Sequence, residues 1–325
     1  MKRRQFITAL GGAAVWPLAA WAQLTHKIFR IGYVAGHAAD KLPERLEAFR
    51  AGLRALGYEE GRNIVIEYRW ADGRYERLPA LFAEIVRLKV DVIVTHGTPG
   101  VLAAKQATTT IPIVMASVGD ALGSGLVSDL AHPTGNVTGL TFFNPELVSK
   151  RLELLKEVVP NLRNVGVLSN PTNPFNETID PVMGRTAHVL QVALHRFAAS
   201  EPAGFEGVFA EMVAKHVDGL VILDDATLVA NSPTIAKLAL QGRLPSSAWP
   251  DFAIDGGLIA FGVNFPDEFR RAATYVDKIL KGAKPANLPI ERATKFETIL
   301  NLNTARAIGV EVPTSLLLRA DKVIE

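Results

Sequence analysis

Short β-branched runs alternate with amphipathic stretches along almost the whole chain, and this rhythm limits the possible folds more than any other feature. Ile28 to Val34 reads as a strand, and Leu42 to Leu56 carries apolar residues at helical spacing. Asn63 to Trp70 alternates as a strand should, Leu78 to Leu88 reads as a helix, and Asp91 to Thr95 is apolar at its centre. Such continuous apolar runs suit strands covered on both faces. Thr98-Pro99 opens a helix to about Thr108, and Ile111 to Ser117 reads as a strand. Helices are predicted at 145–158, 178–190, 203–215 and 233–241, with strands at 164–169, 192–198, 218–223 and 244–248. Repeated βα units predict parallel sheets with helices on both faces. The count of about nine strands before Trp249 is large for one sheet, so two α/β lobes are expected. The tail changes pattern: strand Leu258 to Val263, helix Asp267 to Leu280, a turn-rich link at Gly282 to Pro285, and strand Lys295 to Leu302. A tail of that kind fits a chain that crosses between lobes more than once.

The first residues read as an address. Lys2, Arg3 and Arg4 precede a mildly apolar run from Phe6 to Trp21 that ends in Ala20-Trp21-Ala22. The run is shorter than the ~20 residues of a membrane span. Arg3-Arg4 followed by Phe6-Ile7 resembles a twin-arginine signal; an ordinary secretory signal and an uncleaved membrane anchor are the alternatives. Residues 1–22 are therefore expected to be removed near Ala22, leaving the mature chain in the periplasm. Without Lys2, Arg3 and Arg4 the charge balance becomes 32 basic against 33 acidic residues, so the sequence suggests no nucleic-acid partner. The chain has no cysteine, which removes disulfides, thiolate metal sites, cysteine nucleophiles and a lipid-modified Cys anchor.

No motif for catalysis stands out. No serine sits in a G-x-S-x-G elbow, and no phosphate-binding G-x-x-x-x-G-K-[ST] occurs. Gly123-Ser124-Gly125 lacks its third glycine and reads as a turn. The histidines never fall at i, i+4, so no metal or other cofactor is expected.

Ligands of open α/β sheets bind beyond the carboxyl ends of the strands. Those ends carry His37, then His96, Gly97 and Thr98, then Ser117 and Asp120, and in the second half Asn170, Asp224 and Trp249. N–H groups near Gly97 and Thr98, at the start of a helix, suit a carboxylate. Asp224 can hold an ammonium or hydroxyls, and Trp249, Phe142 and Phe143 can stack on a flat ligand. Each has a plainer reading too: Thr98 or Asp224–Asp225 as helix caps, and the phenylalanines as core.

Four stretches carry a family resemblance. They are Asp91-Val-Ile-Val through Ala103-Ala-Lys-Gln-Ala-Thr-Thr-Thr-Ile-Pro-Ile-Val; Ser117-Val-Gly-Asp through Gly135-Asn-Val-Thr-Gly-Leu-Thr; Arg270-Arg-Ala-Ala-Thr-Tyr-Val-Asp-Lys-Ile-Leu-Lys-Gly onward; and Asn301-Leu-Asn-Thr-Ala-Arg-Ala-Ile-Gly through Leu318-Arg-Ala-Asp-Lys-Val-Ile-Glu. Together they resemble the ABC transporter substrate-binding family related to the tryptophan-binding TrpX-type proteins. The resemblance implies a type I periplasmic-binding fold: two doubly wound parallel-sheet lobes joined by a three-segment hinge. It also implies a monomer that is not an enzyme, a small-molecule ligand such as an aromatic amino acid or related organic acid, and delivery to a permease and ATPase at the inner membrane. A periplasmic sensing module or an exported α/β enzyme are the alternatives. The expected lobes are 27–139 with 258–289, and 140–257 with 290–325, with crossings at Gly139 to Phe142, Gly256 to Phe261 and Ile290 to Lys295. The chain departs from the family pattern at Ala121-Leu122, where relatives usually read Pro-Val.

Overall fold

The computed structural model describes residues 27–133, 135–142 and 144–325. The expected export signal and Phe143 lie outside the described residues.

Two sheets form, as the strand count requires. The first holds β1 (Phe29–Ala35), β2 (Ile64–Trp70), β3 (Val92–Thr95), β4 (Ile113–Val118), β5 (Val137–Thr141) and β11 (Glu291–Arg292), in the order β11-β5-β4-β3-β1-β2. All its pairings are parallel. The second holds β6 (Asn164–Ser169), β7 (Ala193–Ala198), β8 (Gly219–Ile222), β9 (Ser246–Ala248), β10 (Ile259–Val263), β12 (Phe296–Asn301) and β13 (Lys322–Ile324), in the order β13-β12-β10-β9-β8-β6-β7. Only the β10–β12 pair is antiparallel. The inner strands β3, β4, β5 and β8 are buried throughout, which explains the mainly apolar runs of β3, β4 and β8.

Helices cover both faces of each sheet. In the first lobe α1 (Pro43–Ala55) and α10 (Phe265–Leu280) lie on one face, joined through Phe49, Leu53, Phe269, Ala272 and Val276. On the other face α2 (Leu78–Arg87) and α3 (Thr98–Ala107) bury Phe82, Ile85, Val101 and Ala104. In the second lobe α4 (Asn144–Val158) and α5 (Asn176–Leu190) bury Leu152, Leu155, Ile179 and Met183. The opposite face takes α6 (Phe205–Ala214), α7 (Ala226–Ala230), α8 (Ser232–Gln241) and α9 (Pro250–Ile254), which contribute Phe205, Leu228, Ile235 and Phe252. The short α11 (Leu302–Ile308) and α12 (Thr314–Leu317) close the chain.

The chain passes between lobes three times: from β5 to α4, from β10 to α10, and from β11 to β12. Here the structure corrects the expected boundaries. The strand at Ile259–Val263, expected in the first lobe with 258–289, belongs to the second sheet, between β9 and β12. Its backbone is buried on both sides and needs a partner at each edge; β9 and β12 supply them. The second crossing therefore falls after Val263 and not within Gly256 to Phe261. Conversely Glu291–Arg292, expected in the second lobe, adds an edge to the first sheet beside β5. The crossings are tied to each other: the Ala293 N–H donates to the Thr141 carbonyl at 2.9 Å, and the Asn264 N–H to the Lys295 carbonyl at 3.2 Å.

Candidate ligand-binding cleft

The carboxyl ends of the two sheets face each other across a cleft of about 520 Å³ of empty space, part of it open to solvent. Both lobes line it. His96, Gly97, Thr98, Ser117, Phe142 and Asp224, all expected at the site, stand in its wall.

The first-lobe wall is built on the start of α3. Gly97 occupies the cap position at φ 71°, a conformation that L side chains avoid, and no side chain caps the helix. The positive end of α3 therefore faces the cleft beside the Ser117 hydroxyl. Thr98 is the first helical residue and not its cap. Ser117 Oγ, His96 Nε2 and Arg45 Nε are buried and have no hydrogen-bond partner among the described residues. Three orphaned polar atoms in one cavity wall are costly unless something polar enters.

The second-lobe wall is organised by two adjacent aspartates with different duties. Asp224 lies against Arg151, whose Nη1 and Nη2 both donate to its carboxylate, the latter at 3.2 Å. Arg151 is itself buried and its Nε donates to the Phe261 carbonyl at 2.7 Å. Asp225 caps α7, accepting from the Thr227 and Leu228 N–H groups, and also accepts from Asn170 Nδ2 (3.1 Å) and Asn173 Nδ2 (3.0 Å). Its fifth donor is the Tyr75 hydroxyl of the other lobe at 2.7 Å. The helix cap is thus Asp225, and Asp224 keeps its free face toward the cleft.

Lobe-to-lobe contacts surround the cavity. Arg45 Nη2 donates to Asp251 of the second lobe at 3.1 Å, and within the first lobe its guanidinium lies 3.8 Å from the Phe265 ring centre at the start of α10. The Phe175 ring packs on Gly119, where a Cβ would come within 3.0 Å of it. These lobe-to-lobe contacts are those of a closed arrangement.

Four expected residues do not line the cleft. His37 is buried between Trp70 and His96, with ring centres 5.4 and 5.2 Å away, and its Nδ1 meets the Ala38 carbonyl. It supports His96 from behind. Asp120 closes its own turn by accepting from the Gly123 N–H at 2.8 Å. Asn170 serves Asp225. Trp249 follows β9 but turns into the core against Phe252, with no exposed surface. Sequence reasoning missed Arg45, Tyr75, Phe175, Phe265 and Phe269, which also stand in the wall. The signals were weak: Arg45 reads as one more charge in the first turn of an amphipathic helix.

A family model described as ABC transporter substrate binding protein matches residues 31–324. The chain belongs to this family. Its members among the similar proteins are solute-binding proteins and not enzymes, and the chain is accordingly a binding protein for small ligands with the type I periplasmic-binding fold. It is similar to a tyrosine-binding protein of Clostridioides difficile (strain R20291), at 26% identity over 277 residues, 83% of this chain and 78% of that protein. Among solved structures it is similar to a conserved domain protein of Vibrio cholerae O1 biovar El Tor, with TM-score 0.85, 28% identity, and coverage of 91% of this chain and 100% of that one. It is also similar to an ABC domain from Streptococcus pneumoniae in complex with L-Trp, with TM-score 0.84, 25% identity, and coverage of 91% and 99%.

The buried charges and rings can be tested by substitution. Arg151→Met leaves the Asp224 carboxylate buried without its cation and should destabilise the fold by ~3–5 kcal/mol in urea unfolding. Arg151→Met combined with Asp224→Leu should recover most of that loss, and an additive loss would contradict the pairing. Burial lowers the pKa of His37 to about 4, so between pH 6.5 and 4 the unfolded chain binds a proton that the native chain refuses. Stability from this group is present above pH 6.5 and lost on acidification. Relative to His37→Gln, the wild type should lose about 2 kcal/mol between pH 7.5 and pH 5; parallel stability curves would contradict it.

Proposed function

We propose that the protein is the exported, periplasmic component of an ABC importer and that it captures a zwitterionic amino acid with a flat aromatic side chain. The observation that carries this reading is the cleft wall itself: unpartnered polar atoms at Ser117, His96 and Arg45, set among Tyr75, Phe142, Phe175, Phe265 and Phe269. A carboxylate at the start of α3 would meet the helix dipole and the Ser117 hydroxyl. An ammonium would meet the free face of Asp224. Counting Arg45 and Arg151 against Asp224, Asp225 and Asp251, the charged groups at the cavity carry a net negative charge, which disfavours a ligand that is a net anion. The aromatic rings suit a flat side chain. The L-Trp complex and the tyrosine-binding relative agree with that class.

Closure would then be read by the permease. A micromolar ligand supplies roughly 8 kcal/mol at standard state, enough to select the closed form of a hinge whose states differ by a few kcal/mol. The basic, apolar start of the chain followed by Ala20-Trp21-Ala22 supports export.

A thermal-shift screen of residues 23–325 tests the ligand class. L-Tyrosine, L-tryptophan or L-phenylalanine should raise the melting temperature, because a ligand at 100 times its Kd stabilises by ~2.7 kcal/mol. The desamino acid 3-phenylpropionate, which lacks the ammonium, should do so far less. A shift with sugars and none with amino acids would overturn the reading.

A further inference from the structure

Arg45 does two things at once. Its Nη2 holds Asp251 of the other lobe at 3.1 Å, while its Nε, buried in a residue of the cleft wall, has no partner among the described residues. The side chain is only 7% exposed, so in this arrangement the guanidinium is out of water with one of its N–H groups unanswered. Arg45 also borders a second hollow, lined by Asp40, Glu44, Asp251 and Asp255, and so stands between the two. His96, whose Nε2 is likewise unpartnered, stands in the same wall.

We propose that Arg45 is the specificity-determining residue of the cleft, its Nε–H donating to an acceptor oxygen on the ligand's side chain. This inference rests on the amino-acid reading of the site and narrows it to aromatic side chains that carry oxygen, such as a phenol. The acceptor is not the ligand carboxylate, which the start of α3 and Ser117 take. A ligand without the oxygen closes the lobes over an Nε–H that has lost its water and gained nothing. A phenol oxygen accepts from Nε, and its O–H can donate to His96 Nε2 when that ring carries its proton on Nδ1. A site built to hydrogen-bond an oxygen rejects the analogue that lacks it, whereas an apolar wall discriminates weakly. Because the same guanidinium holds Asp251, the residue that reads the ligand also latches the lobes.

Calorimetric titration with matched pairs tests this: L-tyrosine against L-phenylalanine, and 5-hydroxy-L-tryptophan against L-tryptophan. The wild type should bind at least one oxygen-bearing member about tenfold or more tighter than its partner. Arg45→Lys keeps a cation for Asp251 but has no Nε–H in that position, and it should bring the ratio to within about twofold. Asp251→Asn removes the latch charge but leaves Nε in place; it should weaken both members while keeping their ratio. Equal binding of both members of each pair by the wild type would overturn the inference and leave the amino-acid reading standing, as would a preference unchanged in Arg45→Lys. Failure of all four compounds to bind would overturn the amino-acid reading and this inference with it.

Discussion

The carboxylate of Asp225 gathers five hydrogen bonds, four from its own lobe and one from Tyr75 of the other, and the alignment of the cleft walls depends on it. A buried carboxylate must have such partners or it would not remain charged at low cost. Within the second lobe it ties the loop after β6 to the start of α7. Across the cleft it accepts the Tyr75 hydroxyl, whose own ionisation burial and this neighbouring charge push far above the usual range. Tyr75 is therefore a committed donor, and the contact has one polarity only.

Closure is held by few groups, and they differ in strength. The Tyr75–Asp225 bond is charge-assisted and buried, of the kind that contributes ~1.5–3 kcal/mol. The Asp251 side chain of the Arg45–Asp251 pair is 35% exposed, so that pair contributes less. Against these stand three crossings that must bend together, because Ala293 and Thr141, and Asn264 and Lys295, bind them into one short bundle. Opening breaks a handful of polar contacts and exposes little of either lobe's core, since the apolar clusters are contained within lobes except where α10, Phe142, Leu42 and Phe175 reach toward the other lobe. A ligand that answers the orphaned atoms of Ser117, His96 and Arg45 then does more than any lobe-to-lobe contact to favour the closed form.

The βα rhythm was legible because it is local: a parallel strand covered on both faces must be apolar along its length, whatever its partners. Lobe membership was less so. Nothing in Ile259–Val263 distinguishes the first sheet from the second; the choice is made by β9 and β12, which flank it in space and not in sequence. The edge strand Glu291–Arg292 is exposed, two residues long and without apolar character. The site shows the same division. The rule that ligands lie beyond strand ends found His96, Gly97, Thr98, Ser117 and Asp224, but it gives a position and not a direction. Trp249 obeys the rule and turns inward to Phe252, while Asp225 and not Asp224 caps the next helix. Arg45 escaped because its partner Asp251 lies 206 residues away, and Arg151 because a charge on α4 ordinarily faces water.

If the described form is the closed state, the two lobes must separate when the cleft is empty. The chain has no cysteine, so Glu76→Cys in the first lobe and Thr234→Cys in the second give two unique attachment points for spin labels at exposed positions. Pulsed dipolar spectroscopy would read the distance between them without ligand and at a concentration of an aromatic amino acid that saturates the thermal shift. Hinge closure predicts a longer, broader distribution for the empty protein that collapses to a shorter, narrow one on binding. Identical distributions in the two states would contradict it.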